Sequence, residues 1–361
     1  MATTSPSPTT SSVAPSASSA SSASSSSSSS SSGQPSARAQ GKQRAKATKV
    51  EKSDLKLSEA YLLFKESIAL QRIVLDAAGK DVWEYYDAGP RGSSGTVVLL
   101  PPLSGTADCF FLQSLALSNK GYRVVSCTPS GSYRSILEWA KGMNRFLEAV
   151  KVAECHLVGA GLGSFLALSF AQVKPKRVLS LVMVNGFVDN QHFIQKNTFF
   201  GAFSVVPNFM LQKAVLSSFP RGPLELRMVR SVDFMVEQVS RRLGSRDLSS
   251  RLTLLTAPSV LDAQEISLED RCITVIEALD DQSRPESTKL EVMKFFPGAQ
   301  QAHLKSGGEF PYLSRSSDFN MHLQVHLRKH SDVENRSSLF DTPPQILPFE
   351  LPEESASTSM S

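Results

Sequence analysis

Gly161 stands at the apex of Gly159-Ala160-Gly161-Leu162-Gly163, between an apolar run that starts at Cys155 and an apolar, helix-like stretch that begins at Leu162. A strand–turn–helix of this kind presents a nucleophilic serine in the pattern G-x-S-x-G, and it needs small neighbours because the turn is sharp and strained. Glycine at the apex relieves that strain and removes the only oxygen that could attack. Ser164 lies about one turn into the helix and reads as a packing residue. A dinucleotide-binding loop would need G-x-G-x-x-G in the first βα unit; here at least two such units precede the glycines. A second replacement lies in Ser306-Gly307-Gly308-Glu309-Phe310-Pro311. There a G-H-x-P segment would deliver the general-base histidine, and Glu309 holds its place.

The groups that would assist a nucleophile are still recognisable. Leu99-Leu100-Pro101-Pro102-Leu103-Ser104-Gly105 follows an apolar strand. Its Leu103 and the Leu162 N–H mark the vestigial oxyanion hole. Ser104 and Asp108 are exposed polar candidates for binding on that loop, although Asp108 also suits the start of the following helix by its charge alone. Asp280 and Asp281 end a strand where a triad carboxylate would orient the histidine; Asp280 is taken as the vestigial position, and turn chemistry explains the pair as well. His303, on a strand, is expected to be a half-buried packing group. Paired with Ser104 it would make a relocated hydrolytic site. His322, His326 and His330 share a helical face that invites a metal reading. No carboxylate or cysteine is paired with them, so a solvated face is expected. The cysteines (Cys109, Cys127, Cys155, Cys272) have no zinc spacing and read as buried free thiols of a reducing compartment. No metal and no cofactor are expected.

Positioning these groups requires alternating strands and helices. Arg72–Leu75 and Val82–Tyr86 read as an antiparallel pair. Thr96–Leu100, a continuous apolar run, reads as a strand buried on both faces, and Tyr122–Cys127, Cys155–Val158, Arg177–Val184, Cys272–Leu279 and Gln300–Leu304 read as further strands. Helical stretches fall at Ala107–Ser118, Ser135–Val150, Leu162 to about Gln172, Pro285–Phe296 and Asp318–Lys329. This alternation predicts a mostly parallel sheet flanked by helices. Together with the elbow it points to an α/β-hydrolase fold over 49–330. The pattern breaks over 186–269, an aromatic-rich helical stretch expected to be a cap insertion or a set of extra core helices.

Residues 1–48 are dominated by Ser, Ala, Thr and Pro, including nine consecutive serines from Ser24 to Ser32. Such a segment cannot bury enough apolar area to offset its chain entropy. It is either a disordered tail on a cytoplasmic protein or, being free of acids and basic from Arg38 onward, a chloroplast transit peptide. Residues 331–361 are read as a second disordered tail. The net charge is only +4, much of it in the N-terminal arm. No basic stripe with interleaved aromatics suggests a nucleic-acid partner. No apolar run approaches the roughly 20 residues of a membrane span.

Longer strings carry a resemblance. Tyr86-Asp87-Ala88-Gly89-Pro90-Arg91, Leu100 through Asp108, Gly121-Tyr122-Arg123-Val124-Val125, Asp233-Phe234-Met235-Val236, Ser250-Arg251-Leu252-Thr253-Leu254 and Ala302 through Gly308, continuing Phe310-Pro311-Tyr312-Leu313, resemble the maspardins. These are non-catalytic members of the α/β-hydrolase superfamily, and the similarity runs from about Leu70 to His330. The resemblance implies an adaptor: cytoplasmic, partly on endosomal and trans-Golgi membranes by peripheral association, with protein partners such as the cytoplasmic tail of a membrane protein. The family generally keeps a serine at the elbow, where this chain has Gly161. Two other functions stay open: a small-molecule sensor with a pocket under the cap, and a weak serine hydrolase using Ser104 and His303.

Overall fold

A computed structural model describes residues 59–91, 95–196, 203–259, 261–262 and 264–331. The expected tails over 1–48 and 332–361, and Phe199 and Phe200 of the insertion, lie outside the described residues. Ser331, assigned from sequence to the C-terminal tail, belongs to the folded body: it is buried and hydrogen-bonded to His156.

Eight strands form one sheet: β1 (Gln71–Val74), β2 (Val82–Ala88), β3 (Thr96–Leu100), β4 (Arg123–Pro129), β5 (Cys155–Ala160), β6 (Val178–Val184), β7 (Ile273–Ala278) and β8 (Gln300–Leu304). Their order is β1-β2-β4-β3-β5-β6-β7-β8. β2 runs antiparallel to both its neighbours, β1 and β4, while β4, β3 and β5 through β8 are mutually parallel. The central strands are buried along nearly their whole length. Helices cover both faces of such a sheet, which is why these strands read as continuous apolar runs.

The described part of helix α1 covers 59–67. A 3-10 turn at Ala107–Phe110 leads into α2 (Phe111–Ser118); α3 (Ile136–Ala149), α4 (Leu162–Val173), α9 (Glu286–Phe295), α10 (Pro311–Ser314) and α11 (Ser316–His330) follow other strands. In α3 the Ser135 hydroxyl accepts from Glu138 N–H at 3.2 Å and caps the first turn. Ile136, Trp139, Ala140, Met143, Phe146 and Leu147 then recur at helical spacing and are buried. Phe146 stacks on Trp83 of β2 at 4.5 Å between ring centres. Truncating such a ring to alanine costs about 3–5 kcal/mol.

Between β6 and β7 the chain forms α5 (Gln191–Lys196), α6 (Asn208–Leu216), α7 (Leu226–Glu237) with a π-helical extension at Gln238–Arg242, and α8 (Ser245–Thr256). These helices bring Arg251 and Gln238 onto the loop after β3. Thr106 Oγ1 donates to Gln238 Oε1 at 2.6 Å.

Candidate functional site

The parallel strands end together on one edge of the sheet, the edge where open α/β sheets bind ligands. Gly161 lies there with φ +50° and ψ −115°, at the N-terminus of α4. A Cβ at Gly161 would meet only the Pro102 Cβ, at 3.6 Å. Its neighbours have no such freedom. A Cβ at Gly159 would sit 2.4 Å from the Gly163 backbone, and one at Gly163 would sit 2.3 Å from the Leu100 oxygen. The turn therefore keeps the close approach of strand, helix and β3 loop that an elbow requires, with room for a side chain only at the apex. Ser164 is spent on this packing: its hydroxyl donates to Gly159 O and accepts from Val184 N–H at 3.1 Å.

Glu309 follows β8 on the Gly307–Glu309 turn, and its Oε2 is buried with no hydrogen-bond partner. Burial first, and the nearby charge of Asp281 second, push its carboxyl up to about 8, against the opposing pull of Arg284. At neutral pH it is largely a neutral acid.

The carboxylate facing Glu309 is Asp281, where the sequence pointed to Asp280. Strand β7 ends at Ala278, and Asp281 N–H folds back onto Ala278 O at 3.1 Å. That turn carries Asp281 inward and leaves Asp280 half-exposed. Asp280 Oδ1 instead accepts from Gly308 N–H at 2.8 Å and fixes the loop. Asp281 accepts from Arg284 Nε at 3.2 Å, and Arg284 also lies 3.4 Å from Glu277. The carboxylate thus already has a cation.

Three further expectations change. Ser104 is buried, not exposed, and its hydroxyl has no partner. The loop turns inward through Gly105 N–H to Pro102 O at 3.0 Å. Arg251 of α8 grips that loop, donating to Leu103 O at 3.0 Å and to Gly105 O. Leu103 is half-buried and Leu162 buried. Asp108 is also buried and fully engaged: Tyr61 and Tyr86 hydroxyls each donate to it at 2.8 Å, and Lys65 lies at 3.3 Å. Burial alone would raise its carboxyl, but Lys65 and the two hydroxyls hold it below the ordinary range. His303 is exposed on β8. The Ser104 hydroxyl, having no partner, makes no hydrogen bond to it.

The histidines of α11 do not form a solvated face. His326 is buried, bonded to Thr274 Oγ1 and Ser180 Oγ at 2.7 Å each. Among the described residues no group of three or more His, Cys, Asp or Glu side chains could hold a metal ion. Cys109, Cys127 and Cys155 are buried free thiols, and Cys272 is half-buried.

Asn185 was missed from sequence. It directly follows β6, in the left-handed region at φ 44°. Its side chain accepts from Ala278 N–H at 3.1 Å and donates to Gly308 O at 2.9 Å, locking the ends of β6 and β7 to the Glu309 loop. Asn directly before Gly186 at a strand end was the available signal, since Asn tolerates this conformation.

Beside the elbow, between the β3 loop, α3, α4 and α8, lies a cavity of about 20 Å³. An open depression of about 590 Å³ lies elsewhere, lined by Val188, Leu261, Lys294 and Phe295 among others, and by no elbow residue.

Fold and edge together define an α/β-hydrolase-fold protein. The family model for the alpha/beta hydrolase fold matches residues 97–267. A solved hydrolase from Pseudomonas aeruginosa superposes with a TM-score of 0.59 at 14% identity, covering 72% of this chain and 98% of that one. The chain is 40% identical to the maspardin of Danio rerio over 278 residues, covering 76% of this chain and 88% of that protein. It is also 40% identical to the maspardin of Homo sapiens over 276 residues, with the same coverage. The chain belongs to the maspardin family.

Proposed function

We propose that this protein is a non-catalytic member of its fold class that acts by binding other proteins. The observation that carries this reading is the pair of replacements on one sheet edge. Gly161 offers no nucleophile, and Glu309 offers a buried carboxylic acid where a base would be needed. An acyl-transfer site without either group retains only binding and oxyanion contributions. The cavity of about 20 Å³ beside the elbow is also too small for an organic ligand at the elbow itself, since ligand pockets span about 300–1,000 Å³.

Apolar side chains outside the core favour a protein partner. Val205 and Phe209, in the insertion, are 81% and 68% exposed, with Met210 partly exposed beside them. Among the described residues no helix is long and apolar enough to cross a membrane. A trafficking adaptor that meets the cytoplasmic tail of a membrane protein on endosomal or trans-Golgi membranes fits both features. The test is affinity capture from its own cells with the full chain and with Val205→Ser/Phe209→Ser, after matching their thermal stability. A specific set of captured proteins that falls at least about tenfold with the variant supports the reading. Capture that is the same for both sinks the insertion as the binding surface.

A further inference from the structure

The small cavity beside the elbow is lined by two buried donors that have nothing to donate to. Arg251 is 5% exposed and Trp139 1% exposed. Both line the cavity, and Arg251 Nη2 and Trp139 Nε1 have no hydrogen-bond partner. Guanidinium and indole N–H groups can only donate. The other polar side chains on the wall are already engaged: Ser250 Oγ accepts from Tyr133 N–H at 2.9 Å, and Tyr133 OH donates to Asp81. The remaining wall is apolar, including Leu100, Leu162, Leu166 and Leu254.

Charge is unbalanced in the same place. Arg251 makes no ion pair among the described residues; its Nη1 is spent on the uncharged carbonyls of Pro102, Leu103 and Gly105. Asp247, one turn earlier on α8, contributes at longer range while its carboxylate caps Gly244 N–H at 3.0 Å. Leaving a buried cation without a counter-ion is strongly unfavourable. The cavity also touches Leu162 and Gly163, the first residues of the twelve-residue helix α4. Its N-terminus favours negative charge.

We infer that this cavity is a binding site for a small monovalent anion of halide size, held by Arg251 Nη2, Trp139 Nε1 and the N-terminus of α4. A volume of about 20 Å³ admits one body of roughly water size. Larger oxyanions and organic acids are excluded. The anion takes the hydrogen bonds and the charge that the vacant elbow leaves unanswered, and it welds α8 of the insertion to the β3 loop and α4. This site is independent of whether the chain binds proteins.

The test compares thermal unfolding of the full chain in sodium chloride and in sodium gluconate at equal ionic strength, with chloride-35 NMR line widths as a second readout. At about ten times its dissociation constant, chloride should raise Tm by about 3 °C in a saturable way. Bromide should substitute for it. Trp139→Phe removes one donor while keeping an aromatic ring, and Leu254→Phe fills the cavity while leaving Arg251 in place. Both should abolish the chloride shift and the excess line broadening. Equal Tm in chloride and gluconate, meaning that the cavity holds only water, overturns the inference. A chloride shift that persists unchanged in both variants overturns it too.

Discussion

The two edges of this sheet treat buried polar groups in opposite ways. At the N-terminal ends of β5, β6 and β7, a chain of hydrogen bonds runs from Ser331 Oγ to His156 Nε2 at 3.1 Å, then from His156 Nδ1 to Ser180 Oγ at 2.7 Å. It continues from Ser180 to His326 Nε2 and from His326 Nδ1 to Thr274 Oγ1, each at 2.7 Å. All four imidazole nitrogens have partners. The single Ser180 proton can go to only one imidazole, so the other ring must donate to Ser180, and the two tautomers are coupled. At the C-terminal edge, Ser104 Oγ, Arg251 Nη2, Trp139 Nε1 and Glu309 Oε2 are buried without partners. A satisfied network pins α11 to the sheet, whereas a set of unsatisfied groups marks a place shaped for something else.

The contrast can be broken most strongly with pH. Burial first, then the nearby charge of His330, lowers the His156 imidazole to about 4 and that of His326 to about 3. In the unfolded chain both take up protons near 6.5, while the folded state refuses them. Stability is therefore lost as pH falls from about 6.5 toward 4, by roughly 3 kcal/mol for either ring and less than the sum for the coupled pair. Urea unfolding at pH 7 and pH 4.5 measures it. His326→Leu should remove most of its share of this acid slope and cost about 3 kcal/mol at pH 7, because Ser180 and Thr274 lose a buried partner.

Glu309 should have the opposite sign. Its folded carboxyl titrates near 8 and its unfolded one near 4.5, so its unfavourable contribution grows as pH rises from 4.5 to 8. Glu309→Gln should stabilise the protein at pH 7 by about 2–3 kcal/mol and have no effect near pH 4.5. Equal effects at both values would show that Glu309 is charged and partnered. The smallest change should come from Ser104→Ala, within about 0.5 kcal/mol, since its hydroxyl has no bond to lose. A loss as large as that of His326→Leu would erase the difference between the two edges.

The strands, the elbow and the interruption after β6 were legible in the sequence because each depends on local pattern: continuous apolar runs, glycines two residues apart and a break in the βα rhythm. Asp281 was not distinguished from Asp280, because a single turn after Ala278 decides which of two adjacent carboxylates faces inward. His326 shares a helical face with His322 and His330. Only the packing of α11 on the sheet separates it from them, and its partners Ser180 and Thr274 sit inside strands that read simply as apolar. Ser104 and Asp108 look like ordinary loop polars until α8 and α1 close over them. Trp139 and Arg251 are more than a hundred residues apart, and no periodicity reports their convergence.

The proposed function holds that the frame of a hydrolase has been kept while its reacting groups were replaced. Its most direct test is turnover of a short-chain aryl ester by the full chain, by Gly161→Ser and Glu309→His, and by the double variant. A side chain at Gly161 would meet only the Pro102 Cβ at 3.6 Å, so a serine fits the space while taking on the backbone strain of φ +50° that an elbow imposes. No turnover above background is expected for the parent and for either single variant, and a gain of about 10²-fold or more is expected in the double variant. Turnover by the parent, abolished by Ser104→Ala or His303→Ala, would contradict it and place a working hydrolytic site elsewhere on the molecule.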